Sequence, residues 1–202
     1  DDLTGLANRK TFEMEMAKLF DENDKDNEIQ SEDELYDHER RSSFSDQPDK
    51  FWIAIIDIDN FKKVNDSFGH LYGDEILIQL AQIMRASFRD KDRHFRFGGE
   101  EFVVILNAKD QSLCEQAFDR FRRNVADHKF PQVEQITVSI GAVQIKKDVF
   151  TITLTDYADQ ALYHAKRTGK NKTILFEDML ASGIAKEEEF VAGTINLGAV
   201  LD

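Results

Sequence analysis

The stretch RHFRFGGEEFVVIL, Arg93 to Leu106, decides the fold. It reads as two strands, Arg93–Phe97 and Glu101–Leu106, joined at Gly98-Gly99. Two glycines suit a tight hairpin because glycine tolerates positive φ. Upstream, Tyr72 to Ser87 is helical, with Ile76, Leu77, Leu80, Ile83 and Met84 at helix spacing. Before it, the apolar, β-branched run Phe51–Ile58 predicts a buried strand. Downstream, Gln111–Ala126 predicts a helix with Leu113, Ala117, Phe121 and Val125 inward, and Gln135–Ile145 a strand. The order β-α-β-β-α-β is the split βαβ, ferredoxin-like arrangement, an α+β core with a mainly antiparallel sheet flanked by helices.

Outside this core, Lys10–Leu19 predicts a helix with Phe12, Met16 and Leu19 on one face. Asp156–Arg167 predicts a further helix ended by Gly169, and Thr173–Phe176 a last strand. The expected domain is 1–176, with a weakly patterned tail at 177–202. Residues 21–50 hold twelve acids and four bases, a net −8 of the chain's −13. Their only large apolar side chains are Ile29, Leu35, Tyr36 and Phe44, too few to offset ordering entropy. They read as an exposed, mobile acidic insertion.

Composition excludes several classes. With 41% apolar residues, the 202-residue chain can bury a real core. The longest apolar run, Phe51–Ile56, is far short of a membrane span, so no membrane segment is expected. No secretory signal is expected from the opening residues. One cysteine, Cys114, excludes an internal disulfide framework and a cysteine zinc site, and suits a reducing cytoplasm. A net charge of −13 argues against bulk nucleic acid as a partner. A phosphorylated ligand would need bound cations or a local basic cluster. His70, His94 and His164 share no metal spacing, and Gly169-Lys170 lacks the upstream glycine of a Walker loop. Trp52 and the sixteen phenylalanines are expected mostly in the core.

Topology gives the hairpin a chemical meaning. The first strand reaches the second by a helical crossover, so both run the same way. The end of the first strand and the hairpin tip then share one sheet edge. Asp57 and Asp59 close that strand, and Glu100 and Glu101 follow the glycines. Carboxylates gathered at one edge repel one another and call for a hard cation. Mg²⁺ prefers oxygen ligands and usually takes one or two carboxylates plus substrate phosphates. Asp57 and Asp59 point to one face, while Ile58 can offer its carbonyl.

These segments together resemble the GGDEF family of diguanylate cyclase domains. DDLTGLANR at Asp1–Arg9 is similar to the family's opening, and IDIDNFKKVND at Ile56–Asp66 and GHLYGDEIL at Gly69–Leu77 to its nucleotide segments. RFGGEEF at Arg96–Phe102 is similar to its naming motif with glutamate at the third position, and AKRTGKN at Ala165–Asn171 to its phosphate segment. The resemblance implies a palm-type fold and condensation of two GTP into cyclic di-GMP with release of two pyrophosphates. Two sites would face each other in a homodimer, whether standing or formed only during turnover. Asp57, the Ile58 carbonyl and Glu100 would hold metal, two Mg²⁺ or Mn²⁺ per site. Glu101 would be either a ligand of the second metal or the base for the 3′-hydroxyl. Asn65 and Asp74 would read guanine. Phe61, Lys62, Lys166 and Lys170 would handle phosphate, the last two on one helix face if the helix runs that far. Gly98 and Gly99 would leave room for the nucleotide. Arg89-x-x-Asp92, with Arg120, resembles a product-inhibition site. The alternative is a catalytically silent module that binds cyclic di-GMP or GTP. The implied setting is cytoplasmic, within a larger regulator that could be membrane-tethered.

Overall fold

A computed structural model of the chain describes residues 1–28, 50–133, 135–146 and 148–187. Most of the acidic stretch at 21–50 and the end of the tail at 188–202 lie outside the described residues. The elements are β1 (Ala7–Asn8), α1 (Arg9–Glu28), β2 (Lys50–Ile58), α2 (Phe61–Phe68), α3 (His70–Ser87), β3 (Arg93–Gly98) and β4 (Glu101–Ala108). There follow α4 (Gln111–Asp127), β5 (Val138–Gln144), α5 (Thr151–Arg167), β6 (Thr173–Leu175) and α6 (Phe176–Ala181).

The sheet order is β1-β3-β4-β2-β5-β6. β3, β4, β2 and β5 pair antiparallel, and β1 and β6 add parallel to the edges. This is the βαββαβ palm-like core with an added helix and strand at its C-terminal side. β2 is buried on both faces, which is why it reads as a continuous apolar run. Trp52, Ala54, Ile56 and Ile58 join the core under α3 and α4. Ile53 and Ile55 point the other way, toward Phe12 and Met16 of α1 and Leu154, Tyr157 and Leu162 of α5. β4 divides likewise, Phe102, Val104 and Leu106 against Val103 and Ile105.

Several bounds differ from the sequence expectation. β1 is two residues long and carries no periodic signal; its pairing to β3 defines it. α1 runs on to Glu28, past Leu19. α3 starts at His70, two residues before Tyr72, and is parted from the short helix α2 at Gly69. α5 starts at Thr151, five residues early, because Val149 to Thr155 is β-branched in composition and hides its helical character. Phe176 opens a short helix rather than closing β6. Packing continues past it: Phe176 stacks on Tyr157 at 4.1 Å and Met179 is buried. Glu177 accepts from the Gln144 amide at 2.8 Å, tying α6 to β5.

Candidate active site

β2 and β3 run the same way, so their C-terminal ends meet at one edge. Asp57 pairs in register with Glu101 on one side and Ser139 on the other. The turn between β3 and β4 takes Gly98 at φ 139° and Gly99 at φ 52°, with a bulge after Arg96. Nothing lies within 4 Å of where a Cβ would project from either glycine. Dihedral demand fixes these glycines, and the space over the turn is open.

The carboxylates there are under stress. Asp57 is 5% exposed, and its Oδ2 lies 2.8 Å from Lys166 Nζ. Burial pushes its carboxyl above the usual range; Lys166 opposes this, and Asp59 and Asp159 add to it. Glu100, half-buried, is pushed up by burial and then by the charge of Asp57. Glu101 is exposed. Among the described residues no group of three or more His, Cys, Asp or Glu side chains converges to hold a metal. A cation at Asp57 and Glu100 would therefore complete its shell with oxygens from a ligand or water, which suits Mg²⁺. The donor set fits: oxygen atoms only, both carboxylates raised, with a lysine ammonium already on one of them.

Asp59 does not join this group. Its Oδ1 accepts from Ser139 Oγ and its Oδ2 from Thr137 Oγ1, each at 2.7 Å, and Oδ2 also accepts from the Asn171 amide at 3.0 Å. The four-carboxylate cluster expected at this edge is thus Asp57, Glu100 and Glu101, with Asp59 occupied elsewhere.

Asn65 of α2 lies against Gly73 of α3, the neighbour in sequence of Asp74. Asn65 Oδ1 is buried without a hydrogen-bond partner. A Cβ on Gly73 would stand 1.9 Å from it, so residue 73 must be glycine for the amide to sit there. Asp74 is half-buried and its charge acts on Arg96. An unpaired buried acceptor is costly, and this one sits where α2 packs on α3.

Around α2's start, Asn60 is left-handed (φ 60°, ψ 25°) and its carbonyl accepts from Lys63 and Val64. Helix geometry leaves the first-turn amides of Phe61 and Lys62 without partners. The Phe61 side chain is 4% exposed and in the core, so this residue can meet a ligand only through its backbone. The Lys62 side chain is exposed. α5 ends at Arg167, so Lys166 and Lys170 do not share a helix face as expected. Gly169, Lys170 and Asn171 turn left-handed in succession (φ 118°, 62° and 45°). Lys170 Nζ nonetheless comes back to the edge, donating to Asn60 Oδ1 at 2.5 Å.

Two supports carried no sequence signal beyond their motifs. Arg96 donates to the Gly99 carbonyl through Nη2 at 2.8 Å and Nε at 3.2 Å, and to Asp1 Oδ1 at 3.0 Å. Asp1 also caps Thr4, whose carbonyl accepts from Arg85 at 2.8 Å. The opening segment thus braces the glycine turn.

A second cleft of about 510 Å³ lies away from this edge, lined by Arg89, Asp92, Asn107, Leu113 and Arg120. Asp92 is 7% exposed; Oδ2 accepts from the Arg89 amide at 2.8 Å and Oδ1 from the Asn107 amide at 3.2 Å. Arg120 donates to the Ser87 carbonyl at 2.8 Å. Elsewhere, His94 packs on Phe88, and burial keeps its imidazole below the usual pKa. Cys114 is buried, its thiol pushed up by that burial.

The profile of the family described as "Diguanylate cyclase, GGDEF domain" matches residues 26–172. Diguanylate cyclase DgcS of Shewanella oneidensis is 37% identical over 122 residues, 59% of this chain and 40% of that protein. Diguanylate cyclase DgcZ of Escherichia coli is 33% identical over 149 residues, 72% of this chain and 49% of that protein. The chain spans less than half the length of these two relatives. In three dimensions it is similar to the GGDEF domain of DgcB from Caulobacter crescentus, solved in complex with c-di-GMP. The TM-score is 0.71 at 28% identity, over 88% of this chain and 95% of that one. It is also similar to the active GGEEF domain of a diguanylate cyclase from Vibrio cholerae, with TM-score 0.59 and 35% identity over 63% and 83% of the two chains. With its profile match, its carboxylate hairpin and its palm-like sheet, the chain belongs to the GGDEF diguanylate cyclase family.

Proposed function

We propose that this domain condenses two GTP molecules into cyclic di-GMP and two pyrophosphates, each 3′-hydroxyl attacking the α-phosphate of the other nucleotide. The observation that carries this reading is the register of Asp57 against Glu101, which stands Asp57, Glu100 and Glu101 together at the open glycine turn. Asp57, Glu100 and the Ile58 carbonyl would hold Mg²⁺ or Mn²⁺, two ions with Glu101's help. When bound, such ions supply charge for the phosphates and lower the pKa of the attacking hydroxyl. Glu101, exposed at the turn, serves as a ligand or as the acceptor of the 3′-hydroxyl proton.

Asn65 and Asp74 read guanine: the unpaired Asn65 Oδ1 accepts from the base's exocyclic amine, and Asp74 from N1–H and N2–H. The α2 first-turn amides, including that of Phe61, meet phosphate oxygens, with Lys62, Lys166 and Lys170 adding charge. Gly98 and Gly99 admit the nucleotide to the backbone. Since one chain holds one GTP, the reaction needs an isologous dimer. Arg89, Asp92 and Arg120 would hold the product and restrain that dimer, Arg89 donating paired hydrogen bonds.

The test is GTP and Mg²⁺ with the domain at high concentration, then nucleotide separation, beside Glu101→Ala. Cyclic di-GMP from the first and a loss of about 100-fold or more in the second is the expected outcome. A second reading, a silent binding module, is favoured only by the separate cleft at Arg89 and Arg120. Product binding with no turnover, even in a forced dimer, would select it.

A further inference from the structure

We propose that Asp59 is a positioning residue for substrate phosphate: it touches no nucleotide, and it fixes the loop that brings Lys170 to the start of α2. The proposal rests on the nucleotide reading above. Asp59 and Asp57 are two residues apart at one strand end, yet their surroundings are opposite. Asp57 has one lysine and burial working against it. Asp59 has three donors, Ser139 Oγ, Thr137 Oγ1 and the Asn171 amide, and its own amide donates to the Thr137 carbonyl at 2.9 Å. At 5% exposure and with three donors already on its two oxygens, it is held by the protein and not turned to a ligand.

What it holds is unusual. Lys170 and Asn171 are consecutive non-glycine residues in left-handed backbone, following left-handed Gly169. L-residues adopt that region rarely, and as singles rather than pairs. The loop must therefore be gripped from outside. Asn171 is gripped twice: its amide by Asp59, and its side-chain oxygen by Arg122 Nη1 at 2.9 Å, with Arg122 itself on Asp119 at 2.7 Å. The Lys170 amide donates back to the Ala165 carbonyl at 3.0 Å. With the backbone so pinned, the Lys170 ammonium lands on Asn60 Oδ1, at the residue that precedes α2. The carboxylate thus joins the end of β2, β5 and the loop after α5 into one piece.

Asp59→Asn separates this role from mere burial. The substitution keeps shape and exchanges one acceptor oxygen for an NH₂ donor. The carboxamide can turn its NH₂ to Ser139, whose hydroxyl rotates to accept, and keep its oxygen toward Thr137 and the Asn171 amide. The bond to the loop then persists without the negative charge that strengthens it, and the grip on the loop is weakened. Binding is measured with Mg²⁺ and two ligands, 3′-deoxy-GTP, which lacks the attacking hydroxyl, and guanosine. In Asp59→Asn the triphosphate is expected to bind about tenfold more weakly, with guanosine affinity within twofold. In a Lys170→Ala background, adding Asp59→Asn is expected to cost little more. Equal triphosphate affinity in wild type and Asp59→Asn, parallel loss of both ligands, or full additivity with Lys170→Ala overturns the proposal alone. A wild-type domain that binds neither ligand overturns the nucleotide reading, and this proposal with it. Should Asp59→Asn not fold, hydrogen exchange in the wild-type domain decides. The Asn171 amide is expected to exchange as slowly as the amides of β5, and exchange at the rate of a free loop overturns the assignment.

Discussion

The carboxylate edge and the Arg89–Asp92–Arg120 cleft are both built from charged residues, and they are finished differently. At the edge, groups are left wanting: burial raises both Asp57 and Glu100, the charge of Asp57 raises Glu100 further, and Asn65 Oδ1 is unpaired. In the cleft, the chain satisfies its own groups. Asp92 accepts from two backbone amides, and Arg120 donates to the Ser87 carbonyl. Where polar groups are unsatisfied, a ligand completes them; where they are satisfied, they hold the scaffold first and meet a ligand second.

This difference can be broken by three substitutions. Asp92→Ala leaves two backbone amides without acceptors. It is expected to cost about 2–4 kcal/mol, lowering Tm by roughly 5–10 °C. Arg89→Ala, at an exposed side chain, should weaken product binding and leave Tm in place. A thermal scan in which the two variants melt alike would erase the contrast. Gly73→Ala comes next. Its Cβ would collide with Asn65 Oδ1, the movable end of a side chain, so Asn65 turns away instead of the helices parting. Guanosine affinity should fall about tenfold, with little change in Tm; titration calorimetry against guanosine measures it, and unchanged affinity would mean that Asn65 reads nothing.

The smallest effect concerns pH. The folded domain raises the Glu100 pKa, so the folded state keeps its proton to higher pH than the unfolded chain. Stability contributed by the neutral form is therefore present at low pH and lost as pH rises through the folded pKa. Glu100→Gln should raise Tm by about 2 °C at pH 7 in chelator, and by nothing near pH 3. A variant that melts lower at pH 7 would show that Glu100 is stabilised at this edge, not strained.

Much of this was legible in the chain itself. The glycine turn between β3 and β4, with the apolar run of β2, dictates the topology, and the topology sets Asp57 across from Glu101. Less local facts were hidden. The left-handed turns at Lys170 and Asn171 are non-glycine positions with no sequence mark. The partners of Asp59 lie about 80 and 112 residues away, so a D-x-D motif could not reveal that its two members part company. Phe61 sits within a nucleotide-like motif, and only packing shows its ring turned into the core.

The acidic segment rejoins the sheet at Lys50, which pairs with Ala108, while Asp57 at the other end of the same strand pairs with Glu101. Seven residue steps of strand separate them, about 23 Å. That rod is clamped on both faces by helices and transmits little bending. A change of length or charge ahead of Lys50 therefore enters the sheet at the pole remote from Asp57, and is expected to leave the carboxylate edge in place.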